Sequence, residues 1–221
     1  METGKKAINI ITGRYGMGTS ELNHIVDAIF GGIHARERFE TYFHWYNLLH
    51  ELGHGIMCFN ADVRPHPISE EQIVNDFAVA YWLIYGENTK INFLDKIISN
   101  ALENITCPAP SGVSHIEYAY EKWNTEDFHN FNNYGWFQFS CVKDSLRKRK
   151  NLEIVLTQMG VKNIKVQPKK TFIYPVIDEN VVREIIDDAV SVLRKWGVKL
   201  PDTYVTFDSD PNKHMCNVID L

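Results

Sequence analysis

Cysteine is scarce in this sequence: four in 221 residues, at positions 58, 107, 141 and 216. None pairs with another at the short spacing that builds a zinc knuckle or a redox motif, which excludes disulfide-scaffold and thiolate-metal classes. The thiols read as reduced and mostly buried. No apolar run approaches the length of a membrane span. The run after Lys5 and Lys6 is too brief for a signal peptide, so the expectation is a cytoplasmic protein with no membrane partner. Positive charge is not in excess either: 23 Lys and Arg stand against 28 Asp and Glu, a net charge of -5. That balance offers no general attraction to nucleic acid or to anionic lipid. Internal repeats and low-complexity tracts are absent.

What is present is ordinary globular composition, 44% hydrophobic and 23% charged residues, enough chain for one sizeable domain over 1–221. An accessory region, if there is one, falls in about 110–221. "AINIIT" at 7–12 reads as a strand ended by the glycines of "GRYGMGTS". From a cap at Ser20 a helical region is expected to about Cys58, interrupted or kinked near Gly31 and Gly32, with Phe39, Tyr42, Phe43, Tyr46, Leu49, Gly53 and Ile56 forming its core stripe. "NADVRPHPIS" reads as a loop, and Ser69 with Gln72 has the form of a capping box starting a helix at about Glu70 and ending near Gly86. Further helices are expected over 89–105, in "SHIEYAYEKW", over about 134–159 and over about 178–196, with a break at "CPAPSG". Short strands are expected at "NIKVQ", "TFIYPV" and "TYVTFD". The fold class is therefore α+β, predominantly helical with a small β-sheet.

The chemistry concentrates in "NLLHELGHGIM", residues 47–57. Residues four apart on a helix lie one above the other, so His50 and His54 present imidazoles from the same side and can chelate one cation. Zinc takes imidazole nitrogen at about 2.0–2.1 Å and, with three protein ligands, keeps a fourth position for water. Glu51 is turned about 100° from His50 around the axis, yet its side chain reaches that fourth position and is placed as a general base. Gly53 inside a helix costs about 1 kcal/mol relative to alanine, which close approach of another element would explain.

A third ligand is needed, and the helix after Ser69 offers Glu70, Glu71 and Asp76. Acidic residues in a first turn favour the helix dipole without any metal. Glu71 is the best placed of the three, because Asn75 follows four residues later on the same face and can hydrogen-bond a ligating imidazole. Val74, Phe77, Ala78 and Tyr81 would pack that helix on the core.

"LLHELGH" followed by "EQIVNDFA" resembles the paired signature of the ImmA/IrrE-type metallopeptidases, HELGH and then E-x-x-A-N/D-x-F-A on a later helix. Glu71, Val74, Asn75, Phe77 and Ala78 occupy the second pattern, with valine where alanine is usual. The resemblance covers about residues 36–83. It implies a zincin-like fold, one zinc ion (Zn2+) per chain held by His50, His54 and Glu71, and Glu51 as the catalytic base of peptide hydrolysis. It also implies a protein or peptide substrate such as a regulator. His115, Tyr118, Tyr120, His129 and Tyr134 are the residues that could donate to a developing oxyanion, and spacing does not choose among them. A regulatory or sensing module on the same scaffold is the competing class, and an intact Glu51 favours the enzyme.

Two weaker signals point elsewhere. "GRYGMGTS" echoes a phosphate-binding loop but lacks its lysine. "RKRK" at 147–150 reads as a solvated helix face, and Tyr134, Trp136, Phe137 and Phe139 as core rather than a base-stacking platform.

Overall fold

The computed structural model describes residues 6–164, 171–208 and 216–218. Strand β1 (Ala7–Thr12) is followed by α1 (Ser20–Phe30), α2 (Ala35–Phe39), a π-helical segment (Glu40–Tyr46), α3 (Asn47–Asn60), α4 (Pro67–Tyr85) and α5 (Asn88–Asn104). Then come α6 (His115–Lys122), α7 (Phe131–Lys148), α8 (Leu152–Gln158), α9 (Glu179–Lys195), β2 (Asp202–Phe207) and β3 (Cys216–Val218). The protein is thus α+β and mostly helical, and no described helix is long and apolar enough to cross a membrane.

The sheet has the order β2-β1-β3. β1 runs parallel to β2, from Ala7 opposite Asp202 to Thr12 opposite Phe207, and antiparallel to β3. A parallel pair needs a long crossover, and here the whole helical body supplies it. Ile8, Ile10 and Thr12 on alternate positions of β1 are buried, the period-2 pattern of a strand with one face on the core. The core is one cluster from Ile8 to Val198, in which α7 and α8 pack on α4 and α3 lies between α4 and the sheet.

The close contact expected at Gly53 is present. A Cβ there would lie 3.0 Å from Val74 Cβ and 3.2 Å from Phe77 Cδ1, so α3 and α4 meet where the glycine leaves room. Two residues on, on the other side of α3, Gly55 faces Ile8 of β1. Gly53→Ala gains about 1 kcal/mol of helix propensity but forces overpacking worth about 1–3 kcal/mol. A net loss of about 1 kcal/mol is expected, read as a lower midpoint in urea unfolding of the metal-free protein.

Several expectations are corrected. The helical region 20–58 is interrupted at Gly31 and Gly32, as expected, but past α2 the stretch Glu40–Tyr46 is wound as a π-helix and not an α-helix. Its wider turn aims Tyr42, His44, Trp45 and Tyr46 all into the interior, where Trp45 stacks on Trp82 at 4.2 Å. The cap of α1 is Thr19, whose hydroxyl accepts the Leu22 N–H, not Ser20. No capping box joins Ser69 and Gln72. Helix α4 begins three residues earlier, with Pro67 in its first turn and the His66 ring accepting the Ile68 N–H; proline's fixed φ suits a helix start. Ser69 instead hydrogen-bonds the Tyr120 hydroxyl at 2.7 Å.

The span 134–159 is two helices, because Arg149 takes a left-handed conformation (φ 46°) that ends α7, and Asn151 caps α8. "TFIYPV" is not a strand: the Phe172 N–H donates to Tyr85 O at the end of α4 and its ring stacks on Tyr85. Of "NIKVQ", Asn163 and Ile164 are outside any strand and the rest lies outside the described residues. Among the cysteines whose side chains are described, Cys141 is buried as expected, while Cys58 is half-buried and Cys107 is exposed.

Candidate metal centre

Two helices that touch at Gly53 bring the site together. α3 carries His50, Glu51 and His54, and α4 carries Glu70, Glu71 and Asn75; all six side chains are buried. The two imidazole rings of α3 lie 5.0 Å apart, as four-residue spacing dictates. Ligating atoms of His50, Glu51 and His54 are within 4.8 Å of one another. From α4, Glu71 Oε2 reaches into the same space, 3.3 Å from His50 Nε2 and 3.8 Å from His54 Nε2. Ligands on a tetrahedral zinc at about 2.05 Å are separated by about 3.3 Å, so this spacing matches ligands around one ion.

The other nitrogen of each ring is already committed. Asn75 Nδ2 donates to the Glu71 carbonyl at 2.8 Å, which turns its Oδ1 toward the Tyr46 hydroxyl and His50 Nδ1. Because that oxygen only accepts, His50 Nδ1 carries the proton and donates across 3.2 Å. His54 Nδ1 likewise donates to Glu70 Oε1 at 2.7 Å. Both Nε2 atoms therefore face Glu71 with their lone pairs available to a cation.

The donor set fits a divalent cation on two further grounds. Glu51 Oε2 is buried and takes no hydrogen bond, while Asn47 Nδ2 holds its other oxygen at 3.0 Å. A buried carboxylate oxygen with no partner is costly unless a cation or a water serves it. The electrostatics also favour positive charge. Burial raises the Glu71 carboxyl, but the hydrogen bond from His50 and the attraction of both imidazoles bring it down to about 2. Burial disfavours imidazolium at His54, yet the Glu70 hydrogen bond and the nearby Glu71 and Glu51 hold it up at about 9. The carboxylates of Glu51, Glu70 and Glu71 around His54 thus favour positive charge in this space.

Helix α7 closes the far side. Gln138 Nε2 donates to Glu71 Oε2 and to the Tyr134 hydroxyl, both at 2.8 Å, and the Tyr134 hydroxyl donates to Glu71 Oε1 at 3.4 Å. Burial, then the Glu71 charge, pushes the Tyr134 phenol well above its ordinary pKa, so it stays a proton donor. The other four donor candidates are engaged elsewhere. His115 faces Gln72, Tyr120 faces Ser69, His129 faces Trp123 O, and Tyr118 packs among Phe128 and Trp136.

His50, Glu51, His54 and Glu71 thus come together in one buried cluster, and Asn75 holds the His50 ring. Glu70 and Asp76, the other acidic candidates for third ligand, are engaged elsewhere. Glu70 holds the back of His54, and Asp76 lies on the opposite flank of α4 with Ser145, Gln72 and Lys150. Gln138 and Arg64, which clasps Glu70, carry no sequence signal, because both arrive by tertiary packing. Asn47 could have been found, four residues before Glu51 on the same helix face.

The side chains define a candidate cation centre: two imidazoles and a carboxylate on adjoining helices, with a second carboxylate beside them. Compared with protein-family models, with curated proteins and with solved structures, the chain matches none.

Proposed function

We propose that the protein is a zinc-dependent peptidase of the ImmA/IrrE type on a zincin-like scaffold, hydrolysing a peptide bond in a protein substrate. The observation that carries this reading is the convergence of His50 Nε2, His54 Nε2 and Glu71 Oε2 beside a Glu51 oxygen that has no partner. His50, His54 and Glu71 would hold the zinc, which would supply Lewis-acid polarisation of a water and of the scissile carbonyl. Glu51, oriented by Asn47, accepts the proton of the attacking water through Oε2 and returns it to the leaving amide nitrogen. Tyr134, held by Gln138, donates its hydroxyl proton in a hydrogen bond to the oxyanion. The family resemblance suggests a narrow target such as a regulator.

Purified protein is expected to carry about one zinc per chain and to lose peptide cleavage on chelation, with recovery on zinc addition. His50→Ala should lose both metal and cleavage. Wild-type protein that holds no divalent metal at stoichiometric level would overturn the reading.

Tyr134→Phe keeps the ring and its packing but removes the hydroxyl. With one oxyanion donor gone, kcat should fall by about 10²–10³ while zinc content and KM stay near wild type. Unchanged kcat would restrict Tyr134 to propping Glu71.

A further inference from the structure

We propose that Glu70 is a positioning residue of the metal centre, holding His54 by Nδ1 so that Nε2 is aimed at the cation, with Arg64 fixing the carboxylate from the loop between α3 and α4. The inference rests on the zinc reading above, and requires only metal binding, not hydrolysis.

The position of Glu70 is not explained by the helix dipole. An acidic side chain in a first turn serves the dipole from solvent, whereas the Glu70 side chain is only 5% exposed. Burying a carboxylate costs several kcal/mol unless its oxygens are fully partnered. Both are partnered here, and by groups that leave one arrangement. Arg64 Nε donates to Oε2 at 2.9 Å and Arg64 Nη2 donates to Oε1, a planar fork matched to the carboxylate. Oε1 also takes the His54 Nδ1 proton at 2.7 Å. Rotation of the Glu70 carboxylate would break the fork, so the imidazole plane of His54 is fixed from behind.

The two histidines are held differently. His50 is backed by a neutral amide, Asn75, which Tyr46 also clasps. His54 is backed by a carboxylate, and a carboxylate behind an imidazole makes it the stronger donor to metal. Asn75 lies within the sequence signature; Glu70 and Arg64 extend the site one residue before it and into the preceding loop.

The test is zinc affinity, measured by competition with a chromophoric chelator on the full chain. Glu70→Gln should bind zinc about 10–100-fold more weakly than wild type. Glu70→Asp keeps the negative charge but falls short of Nδ1. It should weaken binding to a similar degree if position matters, and bind like wild type if only charge does. Wild-type-like affinity in either variant overturns the proposal. A measurement on zinc-loaded wild type needs no variant to fold. Nitrogen-15 NMR should show His54 metallated at Nε2, with a slowly exchanging Nδ1–H; metallation at Nδ1 overturns it. Wild type that binds no zinc refutes both this inference and the peptidase reading. Tight zinc binding with equal affinity in the variants refutes this inference alone.

Discussion

Glu51→Gln is expected to leave zinc bound at about one per chain while lowering peptide hydrolysis by about 10²–10⁴-fold. Glutamine has the size of glutamate, and its amide oxygen can still accept the Asn47 hydrogen bond that orients the native side chain. The two imidazole nitrogens and Glu71 Oε2 that face one another do not depend on Glu51, so the metal should stay. What is lost is a basic oxygen at Oε2, the atom that has no partner in the folded protein. An amide nitrogen there cannot accept a proton from water. Metal analysis together with a comparison of peptide profiles from cells expressing each form would check both halves. Identical profiles mark a sensing module that cuts nothing, and full activity in the variant removes Glu51 from the mechanism.

The parts of the site legible in the sequence are those fixed by helical spacing. His50 and His54 are four apart, and Glu71 and Asn75 are four apart, so each pair is on one face whatever surrounds it. Gly53 announced a close neighbour because glycine in a helix needs a reason, and Val74 with Phe77 is that neighbour. The strand 7–12 and helices α5 and α9 were legible by period and end signals. Glu70 was visible only as an acidic residue. Which way its carboxylate turns depends on Arg64, and a loop residue's reach is set by tertiary packing. The π-helical turn before α3 escaped for a related reason. Its residues keep the hydrophobic pattern of an α-helix, and their extra width follows from how four aromatic rings find space in the core. Gln138 and Tyr134 belong to a helix more than sixty residues away in sequence, and only the fold brings α7 against α4.

Lys150→Ala is expected to cost about 3 kcal/mol of folding stability, at the low end for breaking a buried ion pair. In a chain of this length that is a fall of roughly 6–12 °C in melting temperature. Sequence reading treats the "RKRK" run as a solvated face, and for Arg147 and Lys148, paired with Asp144 near the surface, that holds. Lys150 differs: its Nζ lies 2.7 Å from Asp76 Oδ2, and the Asp76 side chain is 0% exposed. Ser145 and Gln72 serve the other oxygen, at 2.7 and 3.2 Å, while Oδ2 takes no hydrogen bond and has only the ammonium charge. Removing Lys150 leaves a buried carboxylate with half its compensation, which is the costly way to break such a pair. Asp76→Asn in the same background removes the stranded charge and keeps an oxygen for Ser145. The double variant should therefore be more stable than Lys150→Ala alone, and thermal melting of the metal-free proteins would check the order. Because Asp76 and Gln72 lie on the flank of α4 away from Glu71, zinc affinity of the folded Lys150→Ala protein should match wild type. A fall in affinity with no change in melting would mean that the pair acts on the metal centre instead of on the packing of α4 against α7.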